Sequence, residues 1–142
     1  GNTEIDKAGS DAGTEYNNLE NHTYSAKIGV AGFTAIYRLH TYGDSGQAVA
    51  TTSDGGGEGN IYALRYDMGN VSLGYVRTET SFKEGTNAAA STGEMDIFGV
   101  GYNLGGGVMF EVAHGNKEET GGADSLKDTE ADVTLAKISF GF

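Results

Sequence analysis

At 142 residues, with 37% hydrophobic content and a mean hydropathy of −0.36, the chain is too polar to cross a membrane as helices. No stretch approaches the ~20 consecutive apolar residues that a spanning helix needs. A formal net charge of −11 excludes non-specific nucleic-acid binding through a basic surface. With 24 glycines, no proline and no cysteine, the backbone is free to turn tightly and to pair in sheets, and it lacks disulfides and thiolate metal sites. What remains is a soluble β protein or a β-barrel, whose strands need only ~10 residues each and turn every second one toward lipid.

Residues 1–20 show no alternation of apolar and polar positions, and residues 1–22 are expected to form a loop segment. No apolar leader of the signal-peptide kind is present in them, so any export signal is expected to have been removed or to lie outside this chain. From there on, seven segments alternate with period two, the mark of strands with unlike faces: 24–30, 33–42, 60–68, 71–80, 94–104, 108–114 and 133–142. In the second, Phe33, Ala35, Tyr37 and Leu39 share one face while Thr34, Ile36, Arg38 and His40 share the other. The third sets Tyr62, Leu64, Tyr66 and Met68 against Ile61, Ala63, Arg65 and Asp67. In the fifth, Phe98, Val100, Tyr102 and Leu104 oppose Ile97, Gly99, Gly101 and Asn103.

The connections alternate strictly between short and long. Ala31-Gly32, Gly69-Asn70 and Gly105-Gly106-Gly107 are short and suit tight turns with positive φ. Residues 43–59, 81–93 and 115–132 are long and, with the N-terminal stretch, hold most of the acids. A soluble sandwich has no reason for this alternation, whereas a membrane barrel has short periplasmic turns and long extracellular loops. The expected fold is therefore all-β, an antiparallel up-and-down transmembrane β-barrel, with its acidity on one rim.

The last segment, Asp132-Val-Thr-Leu-Ala-Lys-Ile-Ser-Phe-Gly-Phe142, sets Ile138, Phe140 and Phe142 on one face and ends on an aromatic ring. It resembles the C-terminal signature of bacterial outer-membrane barrels, which the barrel assembly machinery reads as an assembly signal. The Tyr102-Asn-Leu-Gly-Gly-Gly-Val108 turn and the closing Ile138-Ser-Phe-Gly-Phe142 look like the final hairpin and strand of alphaproteobacterial general porins. That resemblance implies a trimeric diffusion channel in the outer membrane, in contact with the lipid bilayer and lipopolysaccharide. It also implies a 16-stranded barrel, of which this chain would be the C-terminal part: residues 1–22 an extracellular loop segment, residues 23–142 seven strands with their loops, and the rest of the barrel elsewhere. An eighth strand from the N-terminal stretch, closing a small barrel, is the alternative.

Lys27, Arg38, Arg65, Glu111 and Lys137 have the parity opposite to the lipid-facing residues and are the candidate pore-lining set. Lys27, Arg38 and Arg65 fall on three consecutive strands and are expected to form a positive ladder along the water path. The resemblance implies a basic wall opposite an infolded acidic loop, which this chain does not contain. The competing reading is that these cations only solvate the lumen or pair with Glu111 and Asp67. Arg77 shares parity with Val71, Leu73 and Tyr75 and so points toward lipid, where an arginine is costly; a place near the outer rim, a preceding β-bulge or a neighbouring subunit are the alternatives that would accommodate it.

Glu118, Glu119, Asp124 and Asp128 are weak candidates for Ca²⁺ or Mg²⁺, since clustered carboxylates suit hard cations; a solvated acidic loop is the plainer reading. No other cofactor is implied. The three histidines are scattered over different segments, and no nucleophile, base and acid stand at catalytic spacing, so no enzyme activity is expected. Passive diffusion of small hydrophilic solutes and ions is the leading function, followed by a barrel whose loops act as adhesin or receptor. A soluble β-sandwich binding module is the third.

Overall fold

The computed structural model describes residues 2–5, 19–45, 56–83, 91–121 and 128–141. Among them every regular element is a strand: β1 Asn2–Ile5, β2 Leu19–Val30, β3 Phe33–Ser45, β4 Gly56–Met68, β5 Val71–Lys83, β6 Ser91–Gly105, β7 Val108–Thr120 and β8 Thr129–Phe140. They form a single sheet in sequence order, each strand antiparallel to the next. Among the described residues β8 does not pair with β1, so the sheet has two edges.

The seven long strands are the seven expected segments, each longer than the alternation marked. β7 continues to Thr120 and β8 begins at Thr129, so Glu118 and Glu119 are strand residues and not loop residues. The reason is backbone pairing, Glu118 with Glu130 and Glu119 with Thr129, which continues past the point where apolar side chains stop. The N-terminal stretch also departs from expectation. Asn2–Ile5 pairs with Leu19–His22 as a short edge strand, held by main-chain bonds that require no apolar alternation. Residues 6–18 lie outside the described residues, as do Asp124 and Phe142.

The short connections are hairpin turns. Ala31 and Gly32 both have positive φ, 49° and 84°, the pattern of a type I′ turn whose twist matches the strands. Gly69 has φ 60° and Asn70 does not share it, as in a type II′ turn. Gly105, Gly106 and Gly107 all have positive φ, and the register shifts between Asn103 and Gly105. The Asn103 side chain accepts from the Gly105 N–H at 2.9 Å.

Gly32 and Gly69 differ in what surrounds them. A Cβ on Gly32 would lie 2.6 Å from the Asp67 carbonyl oxygen, whereas nothing lies within 4 Å of one on Gly69. The Gly32 carbonyl also accepts from the Asp67 N–H at 2.9 Å, tying the first hairpin to the second. Gly69→Ala is therefore expected to cost about 1 kcal/mol, the strain of left-handed backbone. Gly32→Ala is expected to cost clearly more, because backbone must shift as well. Urea midpoints of the two folded variants test this; equal midpoints would refute the close approach.

The two faces of the sheet differ. One carries the aromatic and aliphatic residues, exposed as in Tyr24, Phe33, Leu64, Phe98 and Phe140. On the other, in β4, β5 and β6, Ile61, Ala63, Gly74, Val76, Thr78, Met95, Ile97, Gly99 and Gly101 are half-buried although nothing packs over them. Side chains crowd this way on the inside of a curve, so the aromatic face is convex and its reverse concave. A cavity of about 620 Å³ opens on the concave side and is lined from Lys27 of β2 across to Glu111 of β7.

The apolar band on the convex face is staggered. Phe33 is in register with Tyr66, Leu73, Val100 and Val112; in β3 it is the band's last residue before the turn, yet in β7 the band runs on to Val108. At the other end Leu39 is in register with Asn60, Glu79, Glu94 and Glu118, so the apolar stretch has already stopped in β4 to β7. Both borders descend together by about one residue per strand. At ~3.3 Å per residue and ~4.8 Å between strands, this corresponds to strands tilted by about 35° to the band's normal. Barrel walls have tilts of roughly 35–45°.

Candidate functional site

The concave face carries the candidate pore-lining set. Lys27, Arg38, Arg65, Glu111 and Lys137 all lie on it by register, together with Asp67, Lys117 and Glu119. Among strand residues whose side chains are described, this face therefore holds five cations (Lys27, Arg38, Arg65, Lys117, Lys137) against three carboxylates (Asp67, Glu111, Glu119). Among the strand residues whose side chains are described, the convex face holds one cation, Arg77, against Glu58, Glu79, Glu94, Asp96, Glu118, Glu130 and Asp132. In a chain of net charge −11 these residues thus give the concave face a positive surplus.

Most of those cations are paired. Arg65 meets Asp67 at 2.8 Å and donates to Ser72 Oγ at 3.3 Å, while Ser72 donates to Asp67 at 2.6 Å. Lys137 meets Glu111 at 3.2 Å because β7 and β8 set these two residues opposite one another. Near the long connections Lys117 meets Glu119 at 2.6 Å. That hydrogen bond, more than the charge alone, holds the Glu119 carboxyl below its ordinary range. Among the described residues Lys27 and Arg38 have no ion pair.

The expected positive ladder is thereby corrected. Lys27 is in register with Ile36 and Arg38 with Ser25, so these two are diagonal neighbours. Arg65 is in register with Thr34, four positions along β3 from Arg38, and its charge is taken up by Asp67. Among the described residues Lys27 on β2 and Arg38 on β3 are thus the cations of this face without an ion pair, while Arg65 is paired with Asp67 and Lys137 with Glu111. Arg65 and Asp67 share a face two residues apart in the sequence; the Lys137–Glu111 register was not available there.

Arg77 does point to the convex face, and no bulge intervenes in β5. It bonds Glu79 at 2.7 Å, Glu94 at 2.8 Å and Asp96 at 3.0 Å, and the Tyr75 hydroxyl donates to Asp96. The stagger explains why a charge is tolerated at this position. Arg77 lies where the apolar band of β5 ends, in register with Asp96, and Asp96 in turn with Asn116.

Of the candidate metal ligands, Glu118 and Glu119 point to opposite faces of β7, as adjacent strand residues must. They do not converge on one ion. Asp128 precedes β8, and no group of three His, Cys, Asp or Glu side chains is placed to hold a metal among the described residues. Of the three residues singled out as an assembly signal, Ile138 and Phe140 lie exposed on the convex face of the edge strand β8.

The chain was compared with models of protein families, with curated proteins and with solved structures, and it matches none of them.

Proposed function

We propose that this chain forms the wall of an outer-membrane β-barrel channel through which small hydrophilic solutes and ions diffuse passively. The observation that carries this reading is the staggered apolar band on the convex face. Aromatic rings stand on it in two rows, Phe33, Tyr66, Tyr102, Phe110 and Phe140 nearer the tight turns, and Tyr24, Tyr37, Tyr62, Tyr75 and Phe98 nearer the long connections. Phe33 and Tyr66 stack at 4.1 Å between centroids, and Tyr37 and Tyr62 lie at 5.3 Å. A continuous apolar and aromatic-rich band on one face of an antiparallel meander is what the lipid-facing wall of a barrel carries.

Water would then lie on the concave side, where charged pairs and glycines face the 620 Å³ cavity. The unpaired edges of β1 and β8 would be closed by the remaining strands of the barrel, since long open edges invite indiscriminate pairing. Transport of this kind needs no turnover chemistry; pore width and wall charge set the selectivity. The test is conductance of the protein inserted into planar bilayers in KCl. Stepwise, ohmic current increments support the channel, and a detergent-soluble, folded protein that inserts without conductance refutes it.

A further inference from the structure

We infer that the channel favours a particular class of solute: organic anions that carry a carboxylate on an apolar body. The inference rests on the channel reading and names the substrate of the same surface. Three observations lead to it. The concave face has a positive surplus, and that surplus is Lys27 and Arg38, the two cations on it without an ion pair among the described residues. Ile36 stands between them, opposite Lys27 and two positions from Arg38 on β3. From Ile36 an apolar row crosses the sheet in register through Ala63, Val76 and Ile97.

The chemistry is complementary at both ends. Lys27 supplies a compact positive charge and Arg38 a planar fork suited to a carboxylate. The row from Ile36 to Ile97 spans three strand spacings, about 14 Å, long enough for an aromatic ring or a short hydrocarbon chain. Gly74, Gly99 and Gly101 line the same cavity, and a Cβ on Gly74 would meet nothing within 4 Å. The wall is therefore open beside the row. A neutral sugar would gain nothing from the free cations, and an organic cation would be repelled by them. Chloride would use the charges and waste the apolar row.

The test is a set of reversal potentials for the reconstituted protein under bi-ionic conditions, with potassium chloride, acetate and benzoate. Benzoate diffuses more slowly than acetate in water, so an indifferent pore passes less of it. This wall should reverse that order, with benzoate more permeant than acetate. Lys27→Gln with Arg38→Gln should lower the anion-to-cation permeability ratio at low salt by about threefold or more, as expected for unit charges ~7 Å from a permeating ion in water. Ile36→Ser with Val76→Ser should lower the benzoate-to-acetate ratio by about fourfold, equivalent to one buried methylene, and return it below one.

Each variant is read only where its KCl conductance demonstrates insertion. A wild-type channel that conducts KCl but passes benzoate less readily than acetate overturns this inference and leaves the channel reading standing. So does an anion preference that survives loss of both cations. Absence of any KCl conductance in the wild type overturns the channel reading and this inference with it.

Discussion

Leu64→Arg is expected to destabilise the folded, lipid-inserted protein by about 2–4 kcal/mol, the cost of placing an arginine deep in the lipid-facing surface of a barrel. Leu64 lies on the convex face at 58% exposure, between Tyr62 and Tyr66 and in register with Ala35 and Tyr75, well inside the band. Its neighbour Ala63 faces the concave side, and Ala63→Arg should cost far less, because the proposed water-filled lumen would solvate the guanidinium. The contrast between adjacent residues is the informative quantity. Urea unfolding from lipid vesicles measures both. Equal penalties, or a larger one at Ala63, would mean that the concave face is the buried side.

The second large effect is expected at Arg77. Removing it leaves Glu79, Glu94 and Asp96 facing one another across β5 and β6 with no counter-charge, and like charges directly opposite destabilise a sheet. Arg77→Gln should therefore lower the unfolding midpoint more than Lys27→Gln does, since Lys27 has no ion pair among the described residues. The triple variant Arg77→Gln, Glu94→Gln, Asp96→Asn should recover much of the loss, because the repulsion goes with the acids. A midpoint unchanged in Arg77→Gln would show that the three ion pairs contribute nothing, as holds for many exposed pairs.

Alternation alone made the faces legible in the sequence, because a period of two assigns every residue in a strand to one side or the other. It could not supply height. Arg77 looked misplaced when judged by parity, since parity places it beside Tyr75 without saying that the band ends there. Height needs the register between strands, and register is set by turns whose effect accumulates from hairpin to hairpin. For the same reason Lys27, Arg38 and Arg65 read as a ladder, while the structure makes two of them diagonal neighbours and gives the third to Asp67.

The strand ends were underestimated for a different reason. Residues such as Lys117 to Thr120 and Asn2 to Ile5 are joined to the sheet by backbone pairing, and their sequence carries no apolar period. The candidate metal ligands failed on simple geometry: Glu118 and Glu119 are adjacent in a strand, and adjacent strand residues diverge. The free cations and the apolar row beside them were present in the sequence as isolated residues. Only the pairing of β2 through β6 brings them together.

The central claim is that the convex face meets lipid and the concave face meets water. Because the chain has no cysteine, single cysteines can be introduced and spin-labelled one at a time along β5, from Val71 to Thr78, in the protein inserted in vesicles. Labels at positions 71, 73 and 75 should be relaxed by oxygen, which concentrates in the bilayer. Labels at 72, 74, 76 and 78 should be relaxed by a water-soluble nickel chelate, giving a period of two that ends at Arg77. Uniform accessibility to the nickel chelate along the whole strand, or the same period with opposite phase, would contradict the account.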